Sequence, residues 1–164
     1  MKAKLSKELC YIAGLSRLSD SERSLVYAKS EIREIVEKFI REAIKLGVDP
    51  RKIIVNEKES EAKFYHSKLA RNIREIIKNE TKIFKHKNEF SASFVAGIFD
   101  ARGVIEKSVE IRGLKPGEAV LLEGLGIHVK DNRIANVRDF IMFIKGFSVR
   151  IELTQLPGNE RDPR

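Results

Sequence analysis

The chain has 164 residues, of which 42% are hydrophobic and 34% charged, and its formal net charge is +8. This length allows one domain or two half-domains that share a core, and no apolar run reaches the ~20 residues of a membrane span. The single cysteine, Cys10, cannot form an internal disulfide, so we expect a cytoplasmic protein. One glutamine beside many lysines and glutamates is typical of a thermophile.

The positive charge is concentrated in the first half of the chain. Residues 1–88 hold 21 Lys and Arg against 13 Asp and Glu, whereas residues 89–164 hold 11 of each kind. Such an excess favours a polyanionic partner, because Lys and Arg neutralise phosphates and release counterions. The alternative is the lysine-rich surface of a thermophilic protein.

The first half predicts three helices, a strand and a hairpin. A helix over 6–18 begins at the N-cap Ser6, and an alternating strand follows over 21–30 with Val26 and Ala28 on one face. An amphipathic helix over 31–46 is capped by Ser30 and ends at Gly47. Residues 52–67 predict a hairpin that turns at 57–60, residues 67–80 predict a helix, and residues 81–90 predict a basic connector.

The second half repeats this order. It predicts a helix over 91–101, a strand over 104–112, a helix over 116–125, a hairpin across 131–132 and a helix over 136–146. A last alternating strand, "SVRIELTQL", has no counterpart in the first half. We therefore predict an α+β fold of two pseudo-symmetric helix–strand–helix–hairpin–helix halves, with these bounds: 1–80, first repeat; 81–90, connector; 91–155, second repeat; 156–164, tail.

The opening helix of each half carries an Ala-Gly pair, Ala13-Gly14 in one and Ala96-Gly97 in the other. Glycine inside a helix costs about 1 kcal/mol relative to alanine, and close contact between two helix backbones offsets such a cost. The two helices are therefore predicted to pack together between the halves. Since the pseudo-dimer already lies within one chain, we expect a monomer.

The stretches "IAGLSRLSD" (12–20) and "VAGIFDARG" (95–103) resemble two copies of the LAGLIDADG motif of homing endonucleases. The resemblance implies that the motif helices form the interface between the halves. It also implies that two sheets form a saddle over the DNA major groove. In the family, an acidic residue at the eighth motif position of each copy binds a divalent cation for strand cleavage.

The chain departs from the family at the eighth motif positions, which hold Ser19 and Arg102. A hard cation such as Mg²⁺ requires anionic oxygen ligands, and a guanidinium repels it. We therefore predict no catalytic residue, no metal and no other cofactor. If the protein is a nuclease, Mg²⁺ and a displaced acidic site are implied, with these candidates: Asp20, Asp100 and Glu106. Asp100 is otherwise expected to cap a turn or pair with a neighbour, and Arg102 to contact phosphate or pair with a carboxylate.

About ten residues separate each motif from the next helix, which predicts one strand there and a sheet narrower than that of an endonuclease. The second-half strand places Glu106 and Glu110 on one face with Ser108 and Arg112, which suits phosphate poorly. The first-half strands offer cations and tyrosines, which neutralise or contact nucleic acid. Including the motif arginine, the candidate nucleic-acid-binding residues are Arg23, Tyr27, Lys29, Lys63, Tyr65, Lys68 and Arg102.

The remaining residues predict no zinc site, phosphate loop or nucleophile, and His66 reads as a core histidine. The leading hypothesis is a non-catalytic nucleic-acid-binding protein, DNA favoured over RNA, with a regulatory role as one possibility that degenerate family members suggest. A second hypothesis is a structural or protein-interaction module, with the near-neutral second half facing a protein partner. A third is the Mg²⁺-dependent nuclease with a displaced site. No membrane partner is expected.

Overall fold

The computed structural model describes residues 4–154. The first half contains three longer helices, a short one and four strands: α1 (Lys7–Leu15), β1 (Arg17–Leu18), β2 (Leu25–Lys29), α2 (Arg33–Lys45), β3 (Ile54–Asn56), β4 (Glu61–Tyr65), α3 (Ser67–Lys78) and α4 (Glu80–Ile83). A 3-10 turn, Pro50–Lys52, precedes β3. Two predicted caps are confirmed, because the Ser6 side chain accepts a hydrogen bond from the Leu9 N–H and Gly47 has a positive φ. The predicted cap Ser30 is wrong: the N-cap of α2 is Ile32, and the Ser30 hydroxyl accepts from the Ile32 N–H before the helix begins.

The second half repeats the order of elements: α5 (Glu89–Arg102), β5 (Gly103–Ile105), β6 (Val109–Ile111), α6 (Pro116–Gly124), β7 (Val129–Lys130), β8 (Arg133–Ile134), α7 (Val137–Ile144) and α8 (Val149–Thr154). Asp131 and Asn132 both have positive φ, as a two-residue hairpin turn requires. The architecture is the predicted α+β fold of two similar halves.

Each half builds a four-stranded antiparallel sheet, in the order β1-β2-β4-β3 and β5-β6-β8-β7. The prediction of one strand between each motif and the next helix is wrong, because these segments fold as hairpins. In the first, β1 pairs with β2, and in the second, β5 pairs with β6. The segments are long enough because the edge strands β1 and β5 have only two and three residues.

The C-terminal part of the chain also differs from the prediction. Residues 149–154 form α8 and not a strand, since Asp100 accepts hydrogen bonds from the first backbone N–H groups of the helix. The predicted strand continues to residue 156, and residues 155–164, including the predicted tail, lie outside the described part. The first helix ends at Leu15, not at 18, and the connector contains most of α4.

One apolar core runs through both halves, and α1 and α5 lie at its centre. All residues of α5 from Ser91 to Asp100 are buried. Ile12 on α1 and Phe99 on α5 are fully inaccessible to solvent. His66 is not a core histidine: it is half-buried and its Nδ1 accepts a hydrogen bond from the Leu69 N–H, so it caps α3. Within residues 4–154 no helix combines the length and apolarity needed to cross a membrane.

Candidate nucleic-acid interface

The motif helices α1 and α5 pack backbone against backbone. A Cβ atom added at Gly14 would lie 2.1 Å from the Phe94 carbonyl oxygen, and one added at Gly97 would lie 2.3 Å from the Tyr11 carbonyl oxygen. Ala13 and Ala96 beside them are buried. The two glycines therefore set the spacing between the halves, at the place where the sequence puts the interface.

The two motif helices end at different motif positions. Helix α5 continues to Arg102 and β5 begins at Gly103, six residues after Gly97. Helix α1 stops at Leu15 and β1 begins at Arg17, three residues after Gly14. Ser19 consequently lies beyond β1 in a turn, and not at the end of a helix as the motif alignment implies.

Asp100 is a structural carboxylate within the core. It is inaccessible to solvent and accepts four hydrogen bonds, two on each oxygen. Oδ1 accepts from the Ser148 hydroxyl at 2.6 Å and the Arg150 N–H at 3.0 Å, and Oδ2 from the Tyr11 hydroxyl at 2.6 Å and the Val149 N–H at 2.9 Å. Burial and the Asp100 charge raise the pKa of Tyr11 well above its usual value. Asp100 thus caps α8, and no lone pair faces solvent to receive a metal.

Arg102 is occupied by protein groups. Its guanidinium donates to Glu118 Oε2 at 2.5 Å and to the carbonyl oxygens of Arg112 and Gly113 at 3.1 and 2.7 Å. The Glu118 side chain is 9% exposed and also accepts from the Lys115 N–H. Of the two roles expected for Arg102, pairing with a carboxylate is the one the structure contains.

A magnesium ion does not fit the residues at the ends of the motif helices. The charged groups there are the Arg102 guanidinium, the Glu118 carboxylate that pairs with it and the Asp100 carboxylate, whose two oxygens are occupied by four hydrogen bonds. Asp20 and Glu106 are exposed and lie in bends. In the described part of the chain, no three His, Cys, Asp or Glu side chains come together as a metal site would require. Two-metal or one-metal hydrolysis needs anionic oxygens in first contact with the ion.

The open face of the first sheet carries a row of four side chains, one from each strand. Arg17 lies opposite Tyr27, Tyr27 opposite Lys63, and Lys63 opposite Ile54. Their neighbours Val26, Ala28, Ala62 and Phe64 point to the core. At the usual strand spacing the row spans about 14 Å. It combines two cations, a phenol and an Ile that is 50% exposed.

The other predicted binding residues surround this row without extending it. Lys29 on β2 pairs with Glu59 at 3.4 Å, and the Tyr65 hydroxyl donates to Glu22 at 3.3 Å. Arg23 is exposed in the turn before β2, and Lys68 is exposed on α3 and not on the sheet. The four predicted cations Arg23, Lys29, Lys63 and Lys68 therefore do not form one row.

The open face of the second sheet carries an equivalent row of different chemistry: Val104, Glu110, Arg133 and Lys130. Glu110 accepts a hydrogen bond from the Ser108 hydroxyl at 2.9 Å and lies 3.9 Å from Arg133. Of its three charged members, Glu110 and Arg133 pair with each other. Glu106, which we expected on the same face as Glu110, lies in the bend between β5 and β6.

Two open clefts flank the ends of the motif helices, and Arg17 and Arg102 line both. In the first cleft the acidic side chains are Asp20, Glu80 and Glu118, and the other cations are Arg23, Arg74, Lys78 and Lys115. In the second, the acidic side chains are Glu31, Glu59 and Glu106, and the other cations are Lys29, Lys58, Arg112 and Arg150. Cations outnumber acids two to one in each, and the second half contributes several of them.

Glu80 is the carboxyl group of the first cleft with a clearly displaced titration. It is 9% exposed. Burial, and next the charge of Glu118, raise its pKa to about 7, against the opposing influence of Lys115 and Arg102.

Sequence reasoning missed Arg17 and Arg74. Arg74 on α3 donates to the carbonyl oxygens of Arg23 at 2.6 Å and Ser19 at 3.0 Å, which fixes the turn between β1 and β2. The predicted helix over 6–18 includes Arg17, whereas in the structure α1 ends at Leu15 and Arg17 begins β1. No glycine or other usual C-cap residue marks this helix end in the sequence. Ser16 ends α1 by donating its N–H and its hydroxyl to the Ile12 carbonyl oxygen.

No protein-family model matches the chain, and no curated protein resembles it in sequence at a significant level. Solved structures do resemble it. A complex of the homing endonuclease I-DmoI with DNA and calcium has a TM-score of 0.59 and 16% identity, over 91% of this chain and 97% of that one.

Two further structures of I-DmoI agree. A double variant with nicked target DNA and manganese has a TM-score of 0.57 and 20% identity, over 86% of this chain and 94% of that one. A structure of mesophilic variants has a TM-score of 0.56 and 16% identity, over 85% and 96%. The chain therefore has the fold of a LAGLIDADG homing endonuclease.

Proposed function

We propose that this protein binds nucleic acid, with duplex DNA as the preferred form, and does not cleave it. The observation that carries the proposal is the row Arg17, Tyr27, Lys63 and Ile54 on the open face of the first sheet. The fold adds support, because similar structures of I-DmoI are complexes with DNA.

The chemistry of the row suits a phosphate backbone and base edges. Lysine and arginine neutralise phosphates, a tyrosine hydroxyl donates to phosphate oxygen, and an exposed aliphatic side chain can contact a thymine methyl group. Among residues 4–154, no carboxylate oxygen lies within 4.0 Å of the Arg17 or Lys63 charge. These cations are therefore available to an incoming polyanion.

Binding through the sheets is proposed to be asymmetric. On the second sheet Glu110 pairs with Arg133, so a phosphate would have to compete with a carboxylate there. The row of the first sheet has no acidic member. We propose that the first sheet supplies most of the attraction of the sheet faces for phosphate.

The lack of cleavage is proposed from the donor set. A divalent ion near Arg102 would meet a guanidinium already paired with Glu118, and Asp100 has no free acceptor. Two unit charges of the same sign at contact range repel by an amount on the order of 4 kcal/mol near a protein surface, and a divalent ion doubles this repulsion, which the Glu118 charge offsets in part. The exposed Asp20 alone offers too few ligands.

The binding proposal is tested by fluorescence anisotropy with a labelled DNA duplex and a structured RNA, at several salt concentrations. We expect Kd to rise steeply with salt, and Lys63→Gln to weaken binding about 3- to 10-fold and to lower the salt slope by about 1. Lys145→Gln, at an exposed position after α7, is the matched control. Binding that is missing or insensitive to salt would favour the protein-interaction module instead.

The absence of cleavage is tested by incubating supercoiled plasmid with the full chain, with and without Mg²⁺. We expect no nicking above background. Metal-dependent nicking that Asp20→Asn abolishes would overturn the proposal, since that side chain is exposed and its loss leaves the fold intact. Asp100→Asn is a second probe, with circular dichroism to report on folding.

A further inference from the structure

We propose that Arg17 binds a backbone phosphate at the junction of the two sheets, and that guanidinium groups there take the place of a divalent metal. The inference rests on the proposed function and goes beyond it, because it assigns a residue and a chemistry to the junction. The ligand is a phosphodiester of the bound nucleic acid.

Arg17 occupies the centre of the interface. It is the first residue of β1, and its partner across the ladder is Tyr27, so its side chain belongs to the open face. It is exposed, and it lines the cleft on either side of the motif helices. The early end of α1 produces this placement, because the chain leaves the helix after Leu15 and enters the sheet at once.

The charge of Arg17 is unpaired, in contrast to that of Arg102. Arg102 spends its N–H groups on Glu118 and two carbonyl oxygens. No carboxylate within residues 4–154 comes within 4.0 Å of Arg17, of Arg23 in the first cleft, or of Arg112 in the second. We call these three side chains the junction arginines, and Arg17 is the member common to both clefts.

A guanidinium at this place can neutralise and hold a phosphate, as a bound metal ion does, but it cannot promote hydrolysis of the phosphodiester. Its planar fork donates two parallel hydrogen bonds to phosphate oxygens and remains charged at all accessible pH values. It cannot lower the pKa of a bound water or serve as a Lewis acid, which are the roles of a catalytic ion. A site built in this way holds a phosphate in the absence of divalent ions and leaves it uncleaved.

The test measures duplex DNA binding by anisotropy at constant ionic strength, in EDTA, in Mg²⁺ and in Ca²⁺. The chains compared are wild type, Arg17→Gln, Arg17→Lys and the control Arg138→Gln, which lies exposed on α7. We expect wild-type Kd to be no lower in Ca²⁺ or Mg²⁺ than in EDTA, and to rise in both only as far as competition of the divalent ions for phosphates requires. Arg17→Gln should weaken binding about 5- to 10-fold and reduce the slope of log K against log salt by about 1.

Arg17→Lys should retain the wild-type slope with an intermediate Kd, because it keeps the charge and loses the fork. A tenfold gain in affinity on adding Ca²⁺ or Mg²⁺ would overturn the inference. So would an Arg17→Gln chain that binds as wild type does, or as Arg138→Gln does. If wild type shows no salt-dependent binding, the proposed function fails as well, and the two failures are thereby distinguished.

Discussion

The contact between α1 and α5 predicts that Gly14→Ala is strongly destabilising. The added Cβ would lie 2.1 Å from the Phe94 carbonyl oxygen and 2.9 Å from the Ile98 backbone nitrogen. Carbon–oxygen contacts normally begin near 3.3 Å, so the helices must separate by about 1 Å. No rotamer change relieves this, because the obstructing atoms belong to the backbone.

The cost follows from the separation. Overpacking a core costs about 1–3 kcal/mol and sometimes more, and a radial gap of about 1 Å forfeits up to half of the dispersion energy of the atoms that line it. Alanine recovers up to about 1 kcal/mol of helix propensity. We expect a net loss of about 3 kcal/mol, which lowers Tm by roughly 6–12 °C for a chain of this size.

The measurement is urea unfolding and thermal melting of Gly14→Ala beside Gly124→Ala. Gly124 ends α6, and a Cβ there meets nothing within 4 Å, so that change should be neutral or slightly stabilising. Equal stability of the Gly14→Ala and wild-type chains would refute the close packing, and with it the geometry that places Arg17 at the junction.

Further predictions concern two buried carboxyl groups. The pKa of Glu80 is raised from about 4.5 in the unfolded chain to about 7 in the folded protein. The folded protein is therefore favoured while Glu80 is protonated, and up to about 3 kcal/mol of the free energy of unfolding is lost as pH rises from 4.5 through 7. Glu80→Gln should therefore exceed wild type in urea stability at pH 8 but not at pH 5, whereas the exposed Glu57→Gln should follow wild type at both; parallel pH profiles would contradict this. Asp100→Asn should cost about 2–4 kcal/mol, since an amide nitrogen cannot accept from the N–H groups of α8. Tyr11→Phe removes one of the four donors to Asp100 and should cost about 1 kcal/mol in the same urea assay. If Asp100→Asn and Tyr11→Phe cost the same, the capping of α8 does not depend on the Asp100 carboxylate.

The pattern of the sequence predicts much of the fold because the signals are local. Apolar spacing and caps such as Ser6 and Gly47 depend only on near neighbours, and the structure contains them. The strand predicted at 148–156 is wrong. The alternation of apolar and polar residues in "SVRIEL" favours a strand, but hydrogen bonds from the backbone N–H groups of this segment to a distant carboxylate favour a helix. Asp100 lies about 50 residues away along the chain, yet it caps α8 and decides the outcome.

The candidate site was predicted less completely. Lys63 and Tyr27 could be placed on one strand face from alternation, but their neighbour Arg17 depends on where α1 ends. The pairing of Arg102 with Glu118 joins two elements 16 residues apart, and no spacing rule connects them.

The sequence by itself determined the duplication, the α+β class and the glycine-mediated pairing of the motif helices, since each rests on a local pattern: the same order of elements in each half, and an Ala-Gly pair inside each opening helix. Only the tertiary structure decided the width of the sheets, the burial of Asp100 and the position of Arg17 between the clefts. The physical reason is that free energies of capping, strand pairing and ion pairing depend on which distant groups meet, and that is fixed only when the two halves pack.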